Sequence, residues 1–192
     1  MKKLIALLIS ALLIVSLAIP AFAEEEKHVL HWFIQGEITT MDSGKTYDIL
    51  SAEAVAYFAD TLYRLDENAE AIPNLASELP EISDDGLTVT VPLRQDAYYA
   101  DGTQIKADDI VYAVQRVFDP AVGSQNTSIA AIKNKDAVRA GELPVEELGV
   151  HAASEFVIEF TLEAPDPYIT KQLADTAYAP VSRTFAEEKG DQ

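Results

Sequence analysis

Apolar residues in this chain follow three spacings: one unbroken run, several alternating runs and several helical stripes. The unbroken run is Leu4 to Ile19, 16 residues interrupted only by Ser10 and Ser16. Met1-Lys2-Lys3 precedes it, Pro20 ends it, and Ala21-Phe22-Ala23 follows. A basic start, an apolar centre and an Ala-x-Ala exit are the three parts of a removable secretory signal. The competing reading is a membrane anchor, but the run is shorter than the roughly 20 residues a spanning helix needs. The expectation is therefore a signal peptide over residues 1–23, cleaved after Ala23, with a mature chain starting at Glu24.

After it, strand and helix patterns alternate. Val29 to Ile34 reads as a short buried strand. Ile49, Ala52, Val55, Ala56, Ala59 and Leu62 recur at helical spacing, with Ser51 as candidate cap. Asn74 to Leu79 predicts a short helical turn stopped by Pro80. Asp84-Asp85-Gly86 predicts a hairpin turn leading into Leu87–Arg94, where Leu87, Val89, Val91 and Leu93 alternate with polar residues. Pro92 cannot donate to a ladder, so the strand should be an edge at that point. Ala107 to Phe118 carries a stripe of Ile110, Val111, Val114, Val117 and Phe118, with Asp108 and Asp109 in its first turn and Asp119-Pro120 at its end. Residues 121–128 read as loop, Lys133 to Ala140 as a short polar helix, and Glu155 to Leu162 as a second alternating strand. Pro165-Asp166-Pro167 opens a last helix carrying Ile169 and Leu173.

Composition narrows the chemistry. Without residues 1–23 the chain keeps 169 residues, enough for one domain with a core, and 12 basic against 32 acidic residues, a net charge of −20. That charge argues against nucleic acid and anionic membrane as partners, since both attract basic patches. There is no cysteine, which rules out disulfides, thiolate metal sites, a cysteine nucleophile and a lipid-anchored amino terminus. His28 and His31 fall three apart on the expected strand and so face opposite sides, while His151 has no thiol or histidine nearby. No phosphate-binding glycine loop, nucleophile elbow or calcium-loop spacing occurs. The expectation is a non-enzyme with no cofactor and no metal.

Three stretches then carry a family resemblance: Leu62 to Ala76, Ile82 to Arg94, and Ala100 to Arg116 followed by Asp119-Pro120. Continued by Leu148-Gly149-Val150, Phe156–Leu162, Ala164-Pro165-Asp166-Pro167-Tyr168 and Ala179-Pro180-Val181-Ser182, this ordered set resembles the family 5 extracellular solute-binding proteins of bacterial ABC importers. Asp42-Ser43, Tyr99-Ala100, Pro92 and Lys106 depart from the family pattern, and Lys106 should weaken the cap of its helix.

The resemblance implies a mixed α/β (α+β) fold, periplasmic-binding-protein-like of type II. It implies that residues 24–41 are the opening strand and loop of a ligand lobe, 42–180 an N-terminal subdomain, and 181–192 the start of the return to the lobe. On that reading the chain is an N-terminal portion, and the lobe that closes over the ligand lies elsewhere. It further implies an exported, periplasmic, monomeric protein that takes oligopeptides or dipeptides and presents them to ABC permease subunits. Nickel, haem and oligosaccharides are other ligands of the family. By position, Thr46, Tyr47, Asp48 and Ile49 after the first strand, and Gln125 and Asn126 in the later loop, are the candidates to reach the cleft. The alternative is a stand-alone secreted structural or interaction domain.

Overall fold

The alternating segments form the centre of a four-stranded antiparallel sheet. In the computed structural model, which describes residue 29, residues 31–126 and residues 131–190, the chain divides after Phe33 into two compact units. Of the first unit only Val29 and His31–Phe33 are described, without regular structure. The signal segment 1–23, His28, Thr127, Ser128, Asp191 and Gln192 lie outside the described residues.

In the second unit, β1 (Tyr63–Leu65) pairs with β2 (Ala71–Pro73) as a small antiparallel hairpin. The larger sheet contains β3 (Glu81–Ile82), β4 (Thr88–Pro92), β5 (Val150–Ser154) and β6 (Val157–Thr161), in the order β3-β4-β6-β5. Strands β4 and β6 meet in register from Thr88↔Thr161 to Pro92↔Val157. Because side chains alternate across a strand, Val89, Val91, Ile158 and Phe160 all fall on one face, where none is accessible to solvent. Each such side chain contributes about 1.5–3 kcal/mol on leaving water.

Helix α1 spans Ile49–Ala56 and α2 spans Ala107–Phe118. Helix α2 packs on β5 and β6 and buries Ile110, Val114, Val117 and Phe118. Its N-cap is Lys106, whose ammonium has no lone pair to offer; only the Asp109 carboxylate completes the turn, accepting the Lys106 N–H at 2.9 Å. Helices α3 (Lys135–Arg139), α4 (Ile169–Gln172) and α5 (Arg183–Lys189) are short. The Asp84-Asp85-Gly86 turn joins β3 to β4, and Gly86 takes a φ of +73° there.

Pro92 illustrates how local an edge can be. Strand β4 is interior, yet β3 has already ended opposite Pro92; on that side Ser77 N–H donates to the Pro92 carbonyl at 2.9 Å. The imide nitrogen therefore faces no strand acceptor and costs the ladder nothing.

Five expectations are corrected. Val29 and His31–Ile34 are not in a strand: no ladder among the described residues includes them, and a strand exists only through its neighbour's hydrogen bonds. The first helix stops at Ala56 instead of reaching Leu62, because the carbonyls of Thr61 and Leu62 accept backbone N–H groups from Asn74, Leu75 and Ala76. Those bonds equally prevent a helical turn over 74–79. The cap of α1 is Asp48, whose carboxylate accepts the Ser51 N–H at 2.8 Å; the buried face is Ser51, Ala54 and Val55, and Ile49 is 84 % exposed. The helix that follows Pro167 is also not the last, since α5 comes after it with Ser182 as cap.

Candidate functional site

Residues 39–47 owe their path to a polar tether. Asp42 caps a 3₁₀ turn, Ser43–Lys45, by accepting the Gly44 N–H at 3.0 Å. Arg116, buried on α2, grips the same carboxylate with both ends of its fork, Nη1 to Oδ1 at 3.1 Å and Nη2 to Oδ2 at 2.8 Å. Burial on its own would raise the pKa of Asp42. The Arg116 hydrogen bonds and charge, the Gly44 N–H and the Lys45 charge outweigh it and hold the carboxyl below its ordinary value.

The later loop is pinned to the same turn. Ser124 Oγ donates to the Gly44 carbonyl at 2.6 Å and accepts from the Asn126 N–H at 3.2 Å. Arg139 donates to the Asn126 carbonyl at 2.8 Å while its guanidinium lies 4.8 Å from the centre of the Phe118 ring. Thr46 bonds the Ser43 carbonyl at 2.9 Å, and its hydroxyl lies 3.3 Å from that of Thr176.

A cleft of about 680 Å³ opens where these two segments meet, lined by Thr39, Thr40, Met41, Asp42, Lys45, Tyr47, Gly123 and Gln125. Of the residues expected from the sequence, Tyr47 and Gln125 are brought together on it. The others fall elsewhere. Thr46 and Asn126 are buried in the framework behind the cleft. Ile49 stands in solvent on α1 and does not line it. Asp48 is committed to its cap: it accepts the Thr39 hydroxyl at 2.7 Å and the Ser51 N–H at 2.8 Å, which lower its pKa.

Thr39, Thr40, Met41, Asp42, Lys45 and Gly123 were not anticipated. Lys45 carried one usable signal, as the lone basic residue between Gln35 and Tyr47. Among the described residues no group of three or more His, Asp or Glu side chains could hold a metal, and no helix is long and apolar enough to cross a membrane. A second cleft of about 670 Å³, between the end of α1, β1 and α4, differs in that its two cations are already paired, Arg64 with Asp60 and Lys171 with Glu70.

Several known proteins share this pattern. Residues 70–192 match the family described as bacterial extracellular solute-binding proteins, family 5 Middle. A dipeptide-binding protein of Lactococcus lactis is 27 % identical over 180 residues, which is 93 % of this chain but 32 % of that protein. The substrate-binding domain of an oligopeptide ABC transporter from Bacillus anthracis superposes with a TM-score of 0.77 at 38 % identity, covering 81 % of this chain and 30 % of that one. The Listeria monocytogenes OppA bound to peptide superposes with a TM-score of 0.77 at 34 % identity, covering 81 % and 31 % respectively. The chain thus spans about a third of the length of these relatives.

Proposed function

The chain belongs to the bacterial extracellular solute-binding proteins of family 5, and on that premise we propose that it serves an ABC importer as part of an exported binding component for short peptides. The observation that carries this reading is the family match across residues 70–192, supported by relatives named for dipeptide and oligopeptide binding. The cleft between residues 39–47 and 123–125 is where this portion would contribute to the ligand, with Tyr47 and Gln125 among its polar lining side chains. The remaining walls belong to a lobe outside these residues, and its closure over the ligand is what the permease reads. Ligand contact here is by hydrogen bonding and packing, with no catalytic role. The protein acts as a monomer beyond the cytoplasm, delivered by the segment ending at Ala23 and free of a lipid tether.

Titration of unblocked tripeptides into the ¹⁵N-labelled mature chain tests this. Weak, saturable shifts are expected at Thr39–Tyr47 and Gly123–Gln125, with little or no heat in calorimetry. The absence of any localised shift would overturn the assignment of the cleft. Micromolar binding by this chain alone would overturn the view that further walls are needed. Mass spectrometry of the secreted product should find Glu24 at its amino terminus.

A further inference from the structure

Resting on the solute-binding reading above, we infer that Lys45 receives an anionic group of the ligand, so that the cleft prefers solutes carrying a carboxylate. The inference comes from which charges at the cleft are already spent. Its charged lining residues, among those described, are Asp42 and Lys45. Both oxygens of Asp42 are engaged by Arg116, and one accepts the Gly44 N–H as well. The nearest other acid in the chain, Asp48, is occupied by Thr39 and Ser51. Among the lining residues a cationic solute therefore meets no unspent carboxylate.

Lys45 is different. It sits half-buried at the end of the Ser43–Lys45 turn, where its backbone N–H donates to the Asp42 carbonyl; its ammonium makes no described hydrogen bond or ion pair and acts on Asp42 through charge alone. Tyr47 and Gln125 line the same cleft, and the phenol and amide make no described hydrogen bond either. One ammonium, one phenol and one carboxamide thus present unspent donors to the same cavity, an arrangement that a carboxylate satisfies and a neutral amide satisfies only in part. In a chain of net charge −18 this local cation also decides discrimination, because the general field repels anions. The contrast with the second cleft is direct: its Arg64 and Lys171 already have acidic partners.

The test uses a matched pair, N-acetyl-Ala-Ala with a free carboxylate and the same dipeptide as its carboxamide. Each is titrated into the ¹⁵N-labelled chain while the amides of Lys45, Tyr47 and Gln125 are followed. The carboxylate is expected to bind about tenfold more tightly than the amide, the scale of a charge-assisted bond. Lys45→Met should reduce the carboxylate to the affinity of the amide, and Lys45→Arg should restore most of the difference. Thermal unfolding of both variants checks that the fold is intact. Equal affinities in the wild type, or a preference that survives in Lys45→Met, overturns the inference while leaving the solute-binding reading in place. No localised shift with either compound overturns both.

Discussion

The sheet face under α2 and the segment from Ile38 to Phe58 treat apolar residues in opposite ways. Under α2, Val89, Val91, Ile110, Val114, Ile158 and Phe160 have no accessible surface. Along the segment Ala54 and Val55 are buried, but Ile38, Met41, Tyr47, Ile49, Tyr57 and Phe58 are all between 40 % and 84 % exposed. The first region holds itself together by burial, which is non-directional and additive over many contacts. The second is held in place by a few polar ties: Asp42 to Arg116, Ser124 to Gly44, and Thr39 to Asp48. A large deletion therefore costs most in the core, whereas the cleft depends on a few polar partners, Arg116 among them.

The sharpest break of the first region is Phe160→Ala. The ring is fully buried and packs edge-on to Tyr178, centroids 6.0 Å apart at 78°. Emptying that position should cost about 3–5 kcal/mol in urea-induced unfolding. A loss under about 1 kcal/mol would mean that β6 and the Thr176–Tyr178 turn do not pack as described.

Next in size is Arg116→Met, which attacks the second region from within the first. It leaves the Asp42 carboxylate partly buried without its partner, and destabilisation of about 3 kcal/mol is expected. The double variant Asp42→Asn with Arg116→Met should recover much of that loss, since the unpaired charge is then gone. The pH dependence has a fixed sign. The folded pKa of Asp42 is depressed, so the advantage of the wild type over Asp42→Asn exists above the ordinary carboxyl pKa and is lost as pH falls through the folded value. Chemical denaturation of both proteins between pH 7 and about pH 3 measures it. An advantage that grows on acidification would contradict the pairing.

Most of the first region was legible in the sequence and much of the second was not. Strands β4 and β6 and helix α2 announce themselves because burial on one face forces a period of two or of 3.6 residues. Strand β2 does not: three residues ending in Pro73 are too few to show a period, and only their pairing with Tyr63–Leu65 settles their path. Helix α5 buries none of its residues, so it has no stripe to find. The family pattern pointed to the neighbourhood of Tyr47 and Gln125. It could not give Lys45, whose importance comes from Asp42 being neutralised by an arginine 74 positions away. Local periodicity carries no information about a pair so distant.

A smaller effect separates packing from chain path. Gly149 precedes β5, and a Cβ there would lie 2.6 Å from the Thr161 carbonyl oxygen and 2.8 Å from Lys133 Cβ. Backbone cannot move aside cheaply where the Thr161 N–H donates to the Gly149 carbonyl at 2.8 Å and the Gly149 N–H donates to the Lys133 carbonyl at 2.9 Å. Gly149→Ala should cost about 2 kcal/mol in equilibrium unfolding while leaving ligand-induced shifts at Lys45 in place. If it instead abolished those shifts, the two regions would be coupled more tightly than their separate supports imply.

The smallest expected effect is a gain. Helix α2 belongs to the core but starts with a residue that cannot cap it, Lys106, whose ammonium instead meets Glu155 at 2.7 Å on the surface. Lys106→Thr places a hydroxyl where the Asp109 N–H can be accepted, completing the reciprocal pair with the bond Asp109 already makes to the Lys106 N–H. The exchange gives up a solvent-exposed ion pair, a contact of little weight, for a satisfied helix terminus. The melting temperature should rise by about 2 °C. A fall would show that the Lys106–Glu155 pair, by tying the start of α2 to the turn before β6, contributes more to the core than the missing cap costs it.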